Sequence, residues 1–109
     1  MTMNLPNVLT DLIKAQNEFD AVTYANLFSK NAVVFDEGKT HNGRLEIERW
    51  IDHSNKNYES VMKPLDYTEN GTTSILTAEC SGKFPGSPIT LKFHFDIVAG
   101  QIQHLKVTE

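Results

Sequence analysis

The sequence predicts an α+β domain in which helices come first and an antiparallel sheet follows. Apolar residues recur at three- and four-residue spacing near the N-terminus, which is typical of an amphipathic helix. After residue 60, apolar and polar residues alternate as they do in half-buried strands. A single domain spanning residues 1–109 is expected, because the chain of 109 residues shows no linker-like change in composition. The predicted order is α-α-β-α-β-β-β-β.

Two helices are predicted before the first strand. The first covers about residues 6–17, with Asn4 as its cap and Pro6 where a missing N–H costs nothing. Asp20 is a good N-cap for a second, shorter helix through about Phe28. The link between the helices is short, so they should pack against each other. One face of the first helix carries Leu5, Val8, Leu9, Leu12 and Ile13.

The first strand is predicted at residues 32–37. It is apolar on both faces and should therefore be covered on both sides. A polar loop is expected at residues 38–43, followed by a third helix over about residues 44–57 that Asn42 or Gly43 opens. One face of this helix carries Ile47, Trp50, Ile51 and Ser54.

The rest of the chain predicts a four-stranded meander. Its first strand, residues 61–67, is interrupted or bulged at Pro64, and Asn70-Gly71 is a strong hairpin signal. The next strands are predicted at residues 72–84, 89–97 and 101–108, listed here in chain order.

The last two strands are predicted to be joined by a three-residue connection, Val98-Ala99-Gly100. The resulting register places Phe93 opposite Leu105 on the core face. A two-residue turn would place Phe93 opposite Lys106, which burial argues against.

The composition argues against several classes of protein. A formal net charge of −4, with ten scattered Lys and Arg residues, leaves no basic surface for nucleic acid. Cys80 is the single cysteine, so no intramolecular disulfide is expected, and a buried apolar role is favoured for it. The first residues do not resemble a signal peptide, and no window is long enough to span a membrane. We therefore expect a cytoplasmic protein without a membrane partner.

No cofactor or metal site is expected. The sequence lacks a phosphate-binding glycine loop, a Ser-His-Asp arrangement and a metal motif. In the predicted register His94 faces His104 on the non-core side of the sheet, where two imidazoles can bind a transition metal. Two histidines are too few for such a site, and packing in a dimer interface is the alternative.

Two segments carry a resemblance to a known family. The first segment contains Asp20, Leu27-Phe28, residues 32–36, Gly43, Ile47 and Trp50. The second, residues 84–107, is a strand with alternating Phe, a Gly turn and a closing strand. In these residues the chain resembles the nuclear transport factor 2-like superfamily, specifically its SnoaL-like branch, over nearly its whole length.

The resemblance implies a cone-shaped fold, in which a strongly curved antiparallel sheet wraps the N-terminal helices and leaves an apolar cavity. It also implies a homodimer that packs the outer faces of its sheets. The superfamily includes ketosteroid isomerase, polyketide cyclases, dehydratases, epoxide hydrolases and non-catalytic binding modules, so fold alone does not fix function. Two hypotheses stay open: acid–base chemistry on a small hydrophobic carbonyl compound, or a non-catalytic ligand-binding or dimeric assembly module.

Asp36 is the first catalytic candidate, because an acid at the end of an apolar strand can act as a general base in a dry pocket. In the resembling family, ketosteroid isomerase-like members carry their general-base carboxylate just after the first strand, which matches Asp36. The Tyr and protonated Asp that bind the oxyanion in those members correspond here to Leu12 and Leu91, and neither can donate a hydrogen bond.

His41 is the second catalytic candidate, since a histidine near a cavity mouth can shuttle a proton. The indole N–H of Trp50 needs a partner if it is buried, and Asp36, a water or a ligand can provide one. For the aromatic candidates, core packing is the alternative to ligand contact. The ligand-binding candidates are Phe19, Trp50, Tyr58, Phe93 and Phe95.

Overall fold

The computed structural model describes residues 4–109 and has the predicted α+β architecture. Residues 1–3, where the segment considered as a signal peptide begins, lie outside the described residues. Within residues 4–109, no helix is both long enough and apolar enough to cross a membrane. The elements are α1 Asn7–Asn17, α2 Ala21–Asn26, β1 Phe28–Asp36, β2 Lys39–Asn42, α3 Gly43–Tyr58, β3 Val61–Asn70, β4 Thr73–Ser81, β5 Ile89–Val98 and β6 Gln101–Thr108.

The strands described form one sheet in the order β2-β1-β6-β5-β4-β3. The predicted meander of four antiparallel strands is confirmed as β3 to β6, and β1 joins it by pairing parallel to β6. Buried side chains from the three helices and from the concave face of the sheet form a common core. Its largest fully buried members are Phe28, Leu9, Leu12, Ile47, Leu76, Ile102, Leu105 and Val34.

The starts of the first two helices are set differently. In α1, Pro6 itself holds the N-cap position and no side chain caps the helix, so the predicted cap at Asn4 is wrong. The helix begins one residue later than expected, which leaves Asn4 too far from the free N–H groups. In α2 the predicted cap is confirmed, because the carboxylate of Asp20 accepts a hydrogen bond of 3.1 Å from the Thr23 N–H. Hydrogen bonding from the Thr23 side chain, followed by this backbone bond, lowers the pKa of Asp20.

The polar loop predicted at residues 38–43 is instead a short edge strand, β2, which forms a hairpin with β1. Glu37 and Gly38 make the turn, with φ values of 52° and 75°. Two successive left-handed residues are the signature of a type I′ turn, whose twist matches that of paired strands. The prediction failed because glutamate seldom occupies the first of these positions.

The predicted register of the last two strands is also wrong. A two-residue turn, Ala99-Gly100, joins β5 to β6, and an extra residue on β6, Gln103, then shifts the pairing. This bulge keeps the apolar side chains of both strands on the core face, which the two-residue turn alone would not have done. Phe93 therefore faces Val107 instead of Leu105.

The loop between β4 and β5 is fixed against the C-terminal end of α3. The Lys83 N–H donates a hydrogen bond of 2.6 Å to the Tyr58 carbonyl oxygen. A methyl group at Gly82 would lie 2.5 Å from that same oxygen, so the close approach requires glycine. The Phe84 ring meets the Tyr58 ring edge-on, with centroids 6.1 Å apart. These contacts build one side of the pocket described below.

Candidate functional site

A pocket of about 1120 Å³ lies between α3, the loop after β4 and the concave face of the sheet. Its wall on the sheet side is apolar, while titratable side chains gather where β1, β2 and α3 meet. A mixture of an apolar wall and a few convergent polar groups is typical of ligand sites. The wall is formed by Met62, Cys80, Ile89, Leu91, Phe93 and Val107.

Asp36 reaches the pocket because of the alternation of side chains along β1. Ala32 and Val34 are fully buried, and Asp36 is the next residue on their face of the strand. Across the β1–β2 hairpin, Lys39 pairs with Asp36 and His41 pairs with Val34, so both lie on the same face. Asp36, Lys39 and His41 all line the pocket.

Trp50 connects α3 to the carboxylate. Its indole N–H donates a long hydrogen bond of 3.3 Å to Asp36 Oδ2, which is one of the partners expected for it from the sequence. The His41 ring stacks on Trp50, with centroids 5.6 Å apart and an interplanar angle of 28°. The Tyr24 ring also packs on Trp50, with ring centroids 6.1 Å apart and an interplanar angle of 59°. The carboxylate is thus held in an aromatic surrounding.

The environment of Asp36 changes its proton affinity. Burial is the main cause that raises the pKa of Asp36, and the negative charge of Glu37 adds to it. The hydrogen bond from Trp50 and the positive charge of His41 act in the opposite direction without cancelling the increase. A carboxylate with a raised pKa is a better proton acceptor than an ordinary aspartate when it is ionised.

Tyr24 is a pocket residue that the sequence analysis missed. It lies on α2, is 2% exposed, and lines the same pocket as Asp36. Burial, followed by the nearby charges of Asp36 and Cys80, raises the pKa of the Tyr24 hydroxyl, which therefore stays protonated. Its spacing was a usable signal, because Ala21, Tyr24, Ala25 and Phe28 recur every three or four residues and are all buried.

The pocket also contains a polar corner near the start of β3, which the sequence analysis missed as well. Gln16, on the last turn of α1, donates hydrogen bonds to the carbonyl oxygen of Ser60 and to Asn55 Oδ1. Gln16 and Asn55 are both buried, and Gln16 and Ser60 line the pocket. This corner depends on three separate segments, so no local pattern in the sequence indicates it.

The predicted site residues divide into two groups. Phe19 is 42% exposed just after α1, and Phe95 is buried in the core, so neither is part of the pocket wall. Leu91 belongs to the apolar wall and Leu12 is fully buried in the core. The catalytic and ligand-binding roles remain predictions. The candidates that the structure brings together around the pocket are Asp36, His41, Trp50, Tyr58 and Phe93.

The two histidines lie outside the pocket, whereas the cysteine is part of its apolar wall. His94 pairs with Lys106 and His104 pairs with Asp96, so the predicted facing of the two histidines is wrong. His94 Nε2 lies 2.9 Å from Thr108 Oγ1. No cluster of three or more His, Cys, Asp or Glu suited to a metal ion occurs within residues 4–109. Cys80 is buried as expected, and burial raises the pKa of its thiol to about 11.

Comparisons with known proteins show which proteins share this fold. The structure is similar to that of a candidate polyketide cyclase from Sinorhizobium meliloti, with 36% identity over 95% of each chain and a TM-score of 0.91. It is also similar to a ketosteroid isomerase-like protein from Catenulispora acidiphila in complex with trimethylamine, at 16% identity. That match covers 97% of this chain and 87% of the other, with a TM-score of 0.87.

A third similar structure is the epoxide hydrolase/cyclase-like enzyme SalBIII, which has a role in pyran ring formation in the polyether salinomycin. It is 19% identical, and the match covers 93% of this chain and 86% of that one with a TM-score of 0.74. No protein-family model and no curated protein matches the sequence.

The fold and the pocket define an α+β cone of the cystatin-like class, with a wide concave site between the helices and the sheet. Because it shares 36% identity with the Sinorhizobium protein over nearly the full length of both chains, the chain belongs to the nuclear transport factor 2-like superfamily, in its SnoaL-like branch. The family indicated by the sequence is therefore confirmed. The two similarities below 20% identity show the fold alone.

We expect the Asp36→Asn variant to be more stable than the wild type at neutral pH. The folded-state pKa of Asp36 is raised, so the folded protein binds the proton more tightly than the unfolded chain does. The contribution of Asp36 to the free energy of unfolding is therefore fully present below its unfolded-state pKa, and it is lost as pH rises through its folded-state pKa. The neutral amide avoids this loss, so the difference between variant and wild type should grow with pH and then level off.

Urea unfolding across a pH series measures this difference. Asp11→Asn, which changes an exposed aspartate on α1, is the matched control and should show no such growth. A difference between Asp36→Asn and wild type that is constant with pH, or that shrinks as pH rises, would contradict the raised pKa.

Proposed function

We propose that the protein is a small-pocket enzyme that acts by acid–base chemistry on a hydrophobic carbonyl compound of the polyketide type. The observation that carries the proposal is the half-buried carboxylate of Asp36, fixed by Trp50 at the edge of a wide pocket with an apolar wall. Asp36 would be the general base, and the charge of His41, whose ring stacks on Trp50, would lower the pKa of Asp36. The similarity to a candidate polyketide cyclase supports this class of substrate.

In the proposed first step, ionised Asp36 removes a proton from the carbon next to a carbonyl group. Oδ1 is the oxygen that takes the proton, since Oδ2 already accepts from the Trp50 N–H. The C–H electron pair moves into the new C=C bond, and the carbonyl π electrons move onto oxygen to give an enolate. The phenol of Tyr24, which stays protonated, donates a hydrogen bond to that oxygen. Leu12 and Leu91 could not supply such a donor.

In the proposed second step, the enolate carbon attacks a second carbonyl of the same molecule. A C–C bond closes the ring, the enolate oxygen returns to a carbonyl, and the attacked oxygen becomes an alkoxide. Protonated Asp36 then gives its proton to the alkoxide. The product is a cyclic hydroxy ketone isomeric with the substrate, so the reaction needs no oxidant, reductant or second substrate. The pocket volume of about 1120 Å³ has room for a product of several fused rings.

The second candidate function is a module that binds the same class of compound without turnover. The observation in its favour is that Leu12 and Leu91, which the resemblance matches to the oxyanion donors of ketosteroid isomerase-like members, are both apolar. In this case the pocket would bind a ketone while Asp36 serves only to hold Trp50 and the β1–β2 hairpin in place. Binding without any proton abstraction would select this function over the enzyme.

We also propose that two copies of the chain pair through the convex outer face of the sheet. On this face, Phe35 is half-buried with the Lys106 ammonium group 5.7 Å from its ring centroid, and Ile75 is 37% exposed. By the observed registers, Lys92 and Lys106 lie on this face with Asp96, and the acids Asp66 and Glu79 lie on its β3 and β4 strands, where Lys63 pairs with Glu79. A two-fold arrangement can therefore place basic groups of one copy against acidic groups of the second.

The enzyme proposal predicts that the protein catalyses exchange of the acidic C–H protons of 2-tetralone with deuterium in D₂O. The rate, followed by proton NMR, should exceed that of buffer and rise with pH through the pKa of Asp36, because only the ionised carboxylate accepts the proton. Asp36→Asn should reduce the catalysed rate by about 100- to 10,000-fold, the usual contribution of a general base.

Asp11→Asn is again the control, and it should exchange the probe at the wild-type rate. Equal catalysed rates for Asp36→Asn and the wild type would remove Asp36 as the base. If 2-tetralone quenches Trp50 fluorescence but exchanges no faster than in buffer, the binding-module function is the better account.

The pairing proposal predicts a dimer in sedimentation equilibrium at micromolar concentration. Lys106→Glu should weaken it, because the substitution places a negative charge against Asp66 and Glu79 of the second copy. A wild-type protein that sediments as a monomer at micromolar concentration would contradict pairing through this face.

A further inference from the structure

Gln16 lines the same pocket as Asp36 and His41 but makes no part of their acid–base arrangement. The residue is 7% exposed, lines the pocket and lies on the last turn of α1. A buried carboxamide needs partners for its donors and for its acceptor, because an unpaired polar group away from water costs free energy. In Gln16 the amide nitrogen has partners within the protein, whereas the amide oxygen has none among residues 4–109.

The orientation of the Gln16 carboxamide is fixed by one contact. A hydrogen bond of 2.6 Å joins its Nε2 to the carbonyl oxygen of Ser60, which can only accept, so the atom at that position must be the nitrogen. The second N–H is directed to Asn55 Oδ1 at 3.3 Å. Both hydrogens of the amide are therefore used within the protein.

The carbonyl end of Gln16 is left for the pocket. Across residues 4–109, Oε1 accepts no side-chain or backbone hydrogen bond. In the same part of the chain, the side-chain polar atoms that are both fully enclosed and without a partner are Ser74 Oγ and Asp96 Oδ1. Gln16 Oε1 is not one of them, so it is not fully enclosed. An oxygen that is neither bonded nor enclosed, on a buried residue that lines the pocket, opens into that pocket.

This acceptor and Asp36 stand at opposite sides of the pocket. Asp36 ends β1, whereas Ser60, which holds the Gln16 amide, directly precedes β3. In the sheet, β6, β5 and β4 lie between β1 and β3. The apolar wall that includes Leu91 and Phe93 therefore separates an acid–base end from an acceptor end.

We infer that Gln16 Oε1 binds a hydroxyl group at the end of the substrate remote from the carbonyl that faces Asp36. The substrate class is therefore a mainly apolar ketone that spans the wall and carries a hydroxyl at its far end. The ketone end of this inference rests on the proposed function, but the hydroxyl end does not. A ligand without the hydroxyl displaces water from Oε1 and leaves the oxygen unpaired, which is the source of the discrimination.

Three steroid probes of one shape test the inference: estrone, which has a ketone and a phenolic hydroxyl at opposite ends, its 3-deoxy analogue and its 3-O-methyl ether. Trp50 is the single tryptophan and lines the pocket, so its fluorescence reports the dissociation constant of each probe. The wild type should bind estrone about tenfold more tightly than the deoxy analogue, the effect of one buried hydrogen bond. The ether has no proton to donate and should bind no better than the deoxy analogue.

The Gln16→Met variant keeps the length of the side chain and removes the acceptor, so it should bind estrone and the deoxy analogue equally. Equal affinities in the wild type, or a preference for estrone that persists in Gln16→Met, would overturn the inference. If the variant does not fold, the wild-type ¹⁵N signal of the Gln16 side-chain amide decides. It should shift with estrone and not with the deoxy analogue, and an equal response to both overturns the inference.

The Asp36→Asn variant separates this inference from the proposed function. It should keep the preference for estrone while losing catalysed exchange of 2-tetralone. A hydroxyl preference without any exchange activity in the wild type removes the enzyme and leaves the hydroxyl subsite standing. Exchange activity without a hydroxyl preference removes only the subsite.

Discussion

The alternation of side chains along β1 is the constraint on which the pocket depends. Ala32 and Val34 are fully buried in the core, so the same face of the strand turns Asp36 toward the concave side of the sheet. The β1–β2 hairpin then brings His41 to that side. A slip of one residue in the pairing of β1 with β6 would move Asp36 to the convex face and leave the pocket without a carboxylate.

The balance of interactions at Asp36 links stability to function. Burial makes the ionised form unfavourable, and the Trp50 hydrogen bond and the His41 charge only partly offset that cost. A site chosen for stability alone would carry a neutral or apolar residue there, as Leu12 and Leu91 do elsewhere in the cone. Polar groups that a fold keeps at some expense of stability are concentrated at functional sites. Tyr24 and Gln16 follow the same logic, since both are buried polar side chains on the pocket surface.

Local signals predicted most of the fold. Asp20 caps α2 because a short side chain next to the first turn can reach a free N–H, and the strict alternation in β5 admits one buried face. The β1–β2 hairpin could not be predicted because Glu37 adopts a left-handed backbone conformation, which glutamate seldom does. The register of β5 and β6 was missed because the bulge at Gln103 compensates for a shorter turn, and only the packed core selects that combination.

The candidate site was predictable only where one strand or one helix determines it. Asp36 and Trp50 followed from the end of a strand and the face of a helix, and their hydrogen bond was among the partners foreseen for the indole. Phe19 and Phe95 were assigned by residue type, and the structure puts them elsewhere. In the polar corner, Gln16 bonds to Asn55 and Ser60, which follow it by 39 and 44 positions in the sequence. Such long-range contacts leave no periodic pattern in the sequence.

The proposed role of Asp36 requires a half-buried carboxylate that is poised to accept a proton. A ¹³C NMR titration of its side-chain carboxyl in the ligand-free protein measures this property. We expect a midpoint above the ordinary value of 3.8, and a further increase in Trp50→Phe, because that variant loses the hydrogen bond that lowers the pKa of Asp36. A midpoint at or below 3.8 in the wild type would contradict that role.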